Sequence, residues 1–269
     1  MTTGLEPYTT EKVLNFYLRG TAWAQPATVY IGIDSALNTT EISAGGYSRQ
    51  TLSPGSVVSR GITNTTSMTW TPSATWPQAV GWRAWDAPSG GNALAWGPLS
   101  PKPTPTTGTP YTLGIGEWSF ALPAVSLTGE IYPVSDWFAG KVLDKVFRNV
   151  TGSGLNGSLY EHLAYTKPSM ANSGGAFPTA SGYAPKAATY AAWSAGRCYL
   201  ASNLTVEASA EEAYSSPVIA RCVYDGTNPA SSHLLFVGDL IAAITIAVGN
   251  PVVLRAADTF VGLKLDATI

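Results

Sequence analysis

Charge is what this sequence has least of. Only 12% of its 269 residues are Asp, Glu, Lys or Arg, about half of the roughly 25% usual in soluble domains. The 15 basic and 17 acidic residues leave a formal net charge of −2, with no basic run. A nucleic-acid binder working through phosphate neutralisation is excluded on that ground. A long helical protein is excluded too, because its outer faces need Glu, Lys and Arg. Cysteine is nearly absent: Cys198 and Cys222 stand alone, without a CxxC or Cys/His spacing, which argues against a zinc site. They read as two free core thiols, pairing only if their strands are adjacent. The two histidines, His162 and His233, lie far apart, and no Gly-x-Ser-x-Gly accompanies them. Both are expected as strand or surface histidines rather than triad members. The adjacent pair Glu211-Glu212 would point to opposite faces of a strand, a poor arrangement for two cooperating carboxylates. Gly152-Ser153-Gly154-Leu155-Asn156-Gly157 matches GxGxxG only superficially, since it follows a helical pattern instead of a strand. The most apolar stretch, Leu240 to Leu254, is too short to span a bilayer and is broken by Gly249, Asn250 and Pro251. Met1 to Tyr8 lacks a basic region and an apolar region, so synthesis in the cytoplasm without a signal peptide is expected. No metal and no cofactor is expected.

Apolar matter is plentiful by contrast. Hydrophobic residues make up 45%, with nine Trp, thirteen Tyr and seven Phe, too many aromatics for a disordered chain. Twenty-seven Gly and nineteen Pro punctuate short β-branched and hydroxyl-rich runs, the pattern of many short strands. Thr28-Val29-Tyr30-Ile31-Gly32-Ile33 reads as one strand. Val80 to Trp85 reads as another, turning through Asp86 to Asn92 and returning as Ala93-Leu94-Ala95-Trp96. Two segments have helical periodicity. Thr10 to Gly20 has an apolar face at Val13, Leu14, Tyr17 and Leu18, a Thr cap and a Gly stop. Ser135 to Asn149 looks the same, with Ser135 or Asp136 as cap.

The similarity of these two helical segments opens an internal repeat. Lys12-Val13-Leu14 matches Lys141-Val142-Leu143, and later landmarks follow in the same order: Tyr30 with Tyr160, Gly46-Tyr47 with Gly182-Tyr183, Arg83 to Asp86 with Arg221 to Asp225, and Gly108 with Gly249. The expected fold is mainly β: two tandem β-sandwich-like domains, each preceded by a short α-helix. The expected boundaries are 1–123 for the first domain, 124–134 for a linker and 135–269 for a second, diverged copy.

The first copy resembles a family of small bacteriophage virion proteins described as tail fibre or minor tail proteins. Gly45-Gly46-Tyr47-Ser48-Arg49-Gln50 is similar to a Gly-Gly-Tyr-Ala-Arg-Gln pattern of that family. The strand Val29 to Ile33, the segment Ala74 to Gly81 and the hairpin Trp85-Asp86-Ala87-Pro88-Ser89-Gly90-Gly91-Asn92 through Leu99 follow in the family's order. The second copy has lost the Arg-Gln and the Ser-Gly-Gly-Asn. The resemblance implies a non-enzymatic structural component of the phage particle, tail-associated, assembling by subunit packing. Decoration or cementing of the capsid, or a head fibre, is the alternative. A receptor- or glycan-binding tail module is the second. Partners are expected to be other copies, as a homotrimer, and other virion proteins, with a host surface glycan under the last reading.

The residues singled out by the resemblance are Gly45, Gly46, Tyr47, Arg49, Gln50, Asp86, Gly90, Gly91 and Asn92, each read as structural. Arg49 is expected to make a hydrogen-bonding fork with Tyr47 beside it. Trp82 and Trp85, three apart on one strand, should face opposite sides. One is expected in the core, and the other at a subunit interface or stacked on a glycan.

Overall fold

In a computed structural model the protein is mainly β, with multiple antiparallel sheets and two helices among the described residues. The structure describes residues 3–122, 134–179, 183–194, 197–206, 214, 216–248, 251–256 and 258–262. The greater part of the expected linker, Ser181-Gly182, Glu211-Glu212 and Gly249 lie outside them.

The chain opens with β1 (Gly4–Leu5) and α1 (Pro7–Arg19). The helix starts three residues before the expected Thr10 cap. Pro7 occupies its first turn, where a fixed φ and a missing N–H cost nothing, and Thr9 and Thr10 are buried within it. It stops at Gly20, whose φ of 64° lets the N–H groups of Gly20 and Thr21 bond the carbonyls of Phe16 and Asn15. There follow β2 (Tyr30–Ala36), β3 (Thr40–Glu41), β4 (Gln50–Thr51), β5 (Gly61–Thr63), β6 (Met68–Trp70), β7 (Gly81–Trp85), β8 (Ala93–Pro98), β9 (Tyr111–Leu113) and β10 (Ser119–Ala121). The main sheet runs β1-β8-β7-β2-β3, with β4 also on β2; β5 pairs with β10 and β6 with β9. Register sorts the sheet's side chains by face. Ile31 and Ile33 lie opposite Ala84 and Trp82, all buried, while Tyr30 lies opposite Trp85 on the other face. Trp82 meets Trp118 and Phe120 edge-on, with ring centroids 5.2 and 6.3 Å away, which joins the sheet to the β5–β10 ribbon.

The second half begins with α2 (Asp136–Phe147). Its cap is Ser135, whose Oγ accepts from the Phe138 N–H at 3.0 Å and donates to the Leu234 carbonyl. The strands are β11 (Tyr160–Ala164), β12 (Lys186–Ala187), β13 (Arg197–Tyr199), β14 (Leu204–Val206), β15 (Val218–Tyr224), β16 (Leu234–Ile244), β17 (Val252–Leu254) and β18 (Phe260–Gly262). They pair as β12-β11-β15-β16, β13 with β18 and β14 with β17.

The halves share one core. The Tyr17 ring of α1 meets Phe138 of α2 at 5.0 Å, and Phe147 of α2 packs on Trp118 and Phe120. Tyr17 donates its hydroxyl to the Lys141 carbonyl, and Lys145 donates to Gln25 Oε1. Buried Arg60 bonds the carbonyls of Leu122 and Val134 and the Asp136 carboxylate, 2.8 Å away. One guanidinium therefore grips the chain on both sides of residues 123–133. Cys198 and Cys222 are free and buried. Burial pushes both thiols up, Cys198 to about 11.

Candidate functional site

The residues singled out by the resemblance converge on the face of the main sheet opposite Trp82. The loop 42–49 folds back after β3 because glycine is needed at its bend. Gly46 has a φ of 79°, and a β-carbon there would stand 2.5 Å from the Thr71 carbonyl and 2.7 Å from the Ser73 amide. Two indoles hold the loop's carbonyls: Trp76 Nε1 donates to Gly45 at 3.0 Å and Trp70 Nε1 to Ser48 at 2.7 Å. Gln50 enters β4 opposite Ile31 and bonds Ser48 from its side chain.

Glu41 is the centre of the cluster. The Tyr47 hydroxyl accepts from the Ile33 N–H at 2.9 Å and donates to Glu41 Oε1 at 2.5 Å. Arg49 donates through Nε and Nη2 to the two Glu41 oxygens at 2.8 and 2.7 Å, a bidentate pair. Burial works to raise the Glu41 carboxyl. The bonds from Arg49 and Tyr47, with the charges of Arg49 and Arg83, outweigh it and hold the group below its ordinary value. Burial and the bond to Glu41 push the Tyr47 phenol well up, so it stays a neutral donor.

The remaining nitrogen of Arg49 reaches the hairpin between β7 and β8. Its Nη1 donates to the carbonyls of Ala87 and Gly90 at 2.8 and 2.7 Å. The guanidinium lies 3.6 Å over the Trp85 ring, and Arg83 lies 4.7 Å from the same ring. Arg83 in turn pairs at 2.9 Å with Asp34, which is completely buried. Asp86 shapes the hairpin from within, accepting from the Asn92 amide at 2.6 Å and its side chain at 2.7 Å. Gly90 and Gly91 take φ values of 60° and 73°.

This geometry brings all nine residues into one continuous arrangement of loop, sheet and hairpin. Glu41, Trp70, Trp76 and Arg83 belong to it as well, although none was singled out from the sequence. Their signal was weak, since a lone Glu and scattered tryptophans carry no spacing. Trp82 stands apart on the core side at 3% exposure. Of the two tryptophans it is the core one and not the candidate for an interface or a glycan: Trp118 and Phe120, beside and within the β5–β10 ribbon, cover it. Trp85 is half-buried, and its Nε1 is enclosed without a partner among the described residues. Arg49 occupies a face that a sugar would need.

The histidines lie elsewhere. His162 is buried on β11, bonded to the Gly226 carbonyl. His233 Nδ1 lies 2.8 Å from Asp225 Oδ2, and its ring stacks on Trp137 at 4.0 Å. Among the described residues no group of His, Cys, Asp and Glu is placed to hold a metal ion. None of their helices is long and apolar enough to cross a membrane.

An arginine with its donors committed to an acid and two carbonyls fixes the position of a projecting hairpin. The fold is thus a mainly β module in which this cluster ties loop, sheet and hairpin together. Residues 4–121 match the family model described as Podophage GP4 fiber I protein gp80. That stretch holds the whole Arg49 cluster, so the first half of the chain is similar to a phage fibre protein. No curated protein matches the chain.

Proposed function

We propose that this chain is a non-enzymatic, tail-associated fibre component of a bacteriophage particle that works by packing against copies of itself and other virion proteins. The observation that carries the reading is the fibre-family match over 4–121, inside which the Arg49 cluster uses its charges for internal bonding. Electron microscopy of intact particles labelled with antibody to this chain tests it. Label on the tail supports the reading. Label on the capsid moves the protein to a head-fibre or decoration role, and absence of label from purified particles refutes a virion component.

The second half is, on this reading, a diverged copy of the first. Its support is the recurrence of most pairings: β2-β7-β8 with β11-β15-β16, β4 on β2 with β12 on β11, β5–β10 with β13–β18, and β6–β9 with β14–β17, while β1 and β3 have no counterpart strand among the described residues. Single bonds recur too. Tyr47 accepts from the Ile33 N–H, and Tyr183 accepts from the Leu163 N–H at 3.2 Å. Asp86 holds the Asn92 amide, and Asp225 holds the His233 amide at 2.7 Å. The copies differ in their interiors. Where the first has Ile31 and Trp82, the second buries Glu161 and Arg221, joined at 2.6 Å, with Tyr190 donating to Glu161 at 2.7 Å.

A further inference from the structure

Each helix serves both halves. α1 lies on β8 of its own main sheet, where the Glu6 N–H bonds the Leu94 carbonyl at 3.0 Å, and on β13 of the other half. α2 lies on β16 of its own main sheet, where the Ser135 N–H bonds the Leu235 carbonyl at 2.9 Å, and on β5 of the other half. β5 and β13 are counterparts in the recurring pairings. The contacts between halves are therefore reciprocal: the helix of each packs on the ribbon of the other.

Individual residues follow the same rule. With Lys12-Val13-Leu14 set on Lys141-Val142-Leu143, Phe16 falls on Lys145, Leu18 on Phe147 and Gly20 on Asn149. Phe147 packs on Trp118 and Phe120 at the ribbon of the first half, with ring centroids 5.6 and 5.4 Å away. Its counterpart Leu18 is buried in the cluster that also holds Cys198 of β13 and Val261 of β18. The chain beyond each helix meets the end of the other helix. Gln25 Nε2 donates to the Asn149 carbonyl at 3.4 Å, and Ser153 and Leu155 line one cavity with Gly20. Gly20 and Asn149 share a left-handed backbone, with φ of 64° and 54°. At the centre a residue touches its own counterpart: Lys145 Nζ lies 3.9 Å from the centroid of the Phe16 ring. An operation that carries the first half onto the second, and the second back onto the first, is a half-turn. A residue that meets its own counterpart lies at the axis.

We propose that α1 and the β5–β10 ribbon form a self-complementary interaction surface whose partner is a second copy of the same module. In this chain the second half supplies that copy, about a pseudo-twofold axis between Phe16 and Lys145. This rests on the reading of the second half as a diverged copy. The surface is sealed by one continuous apolar cluster drawn from both halves, the character of an obligate pair. An isologous surface closes with two modules, so this one is used up inside the chain. Contacts with other copies and with other virion proteins fall on other faces, and the peptide link through residues 123–133 is not what holds the halves together.

The full chain allows two tests. A protease site placed at Thr128-Gly129 is cut after folding. In native mass spectrometry at low micromolar concentration the two fragments are expected to stay together near the 28.1 kDa of the intact chain; fragments that separate overturn the proposal. The second test exchanges the pair at the axis. Phe16→Lys alone sets two ammonium groups against each other and is expected to lower the melting temperature by about 5 °C. Adding Lys145→Phe restores the same contact with its members interchanged, and is expected to recover at least half of that loss. A double variant that folds where Phe16→Lys alone does not supports the proposal equally, and a double variant no better than Phe16→Lys alone overturns it. A crystal structure separates this failure from failure of the duplication. Halves that superpose by an operation other than a half-turn refute the interface and keep the duplication, whereas halves that do not superpose refute the duplication itself.

Discussion

The guanidinium of Arg49 lies 3.6 Å above the ring of Trp85, and from that position it bonds both Glu41 of β3 and the hairpin between β7 and β8. Lysine keeps the charge but loses the planar fork, and with it the bidentate bond to Glu41 and the stacking. Arg49→Lys is expected to destabilise the fold by about 2–3 kcal/mol. For a chain of this size that corresponds to a melting temperature lower by roughly 4–12 °C in scanning calorimetry. A shift within 1 °C would show the cluster to be dispensable.

Glu41 sets a pH dependence with a definite sign. Its carboxyl is held below its ordinary value of about 4.5, so it stabilises the fold above that value, and the contribution is lost as pH falls through the lowered one. Asp34 and Glu6 are raised, chiefly by burial, and act in the opposite direction. The cleanest measurement is therefore a difference. The gap in unfolding free energy between wild type and Glu41→Gln should be full at neutral pH and narrow below about pH 4.5. A gap that stays constant under further acidification contradicts this account of the cluster.

Two glycines of the site should respond unequally to a methyl group. At Gly46 an added β-carbon meets the Thr71 carbonyl, and the left-handed backbone is strained as well. At Gly90 the backbone is also left-handed, but the space around it is open. Gly90→Ala is expected to cost about 1–2 kcal/mol. Gly46→Ala should cost clearly more, because main-chain atoms must shift. Urea midpoints of the two variants give the order, and equal midpoints contradict it.

Trp82→Ala tests whether that ring belongs to the core. Removing a fully packed indole is expected to cost about 3–5 kcal/mol. Trp85→Ala loses the stacking under Arg49 and should cost less, since its ring is only half-buried. Denaturant titrations of both variants are the measurement. A Trp82 variant as stable as wild type would contradict its burial against Trp118 and Phe120.

Ser135→Ala removes the cap of α2 and leaves the Leu234 carbonyl without its hydroxyl donor. A loss of about 1–2 kcal/mol is expected, read as a lower melting temperature with the secondary structure retained.

Local pattern made part of this molecule legible. The apolar faces at Val13, Leu14, Tyr17 and Leu18 and at Val142, Leu143 and Val146 define helices by their spacing. The Asp86-to-Asn92 turn reads as a hairpin because its residues tolerate left-handed backbone. Thr10 misled as a cap, since Pro7 starts a helix equally well without a side-chain bond. Glu41 was not legible: nothing in its neighbours shows that Tyr47 and Arg49 will fold back onto it. Nor was the burial of Trp82, because alternation states which residues share a face but not which face is covered.

By itself the sequence determined the mainly β class, the two helices, the turns and the resemblance of its first half to phage fibre proteins. These depend on periodicity, backbone preference and motif, all written over short spans. Only the tertiary structure decided which aromatic is enclosed and which acid meets Arg49. Those outcomes depend on contacts between residues tens of positions apart. Burial and pairing there are set by the packing of whole layers, which local pattern does not contain.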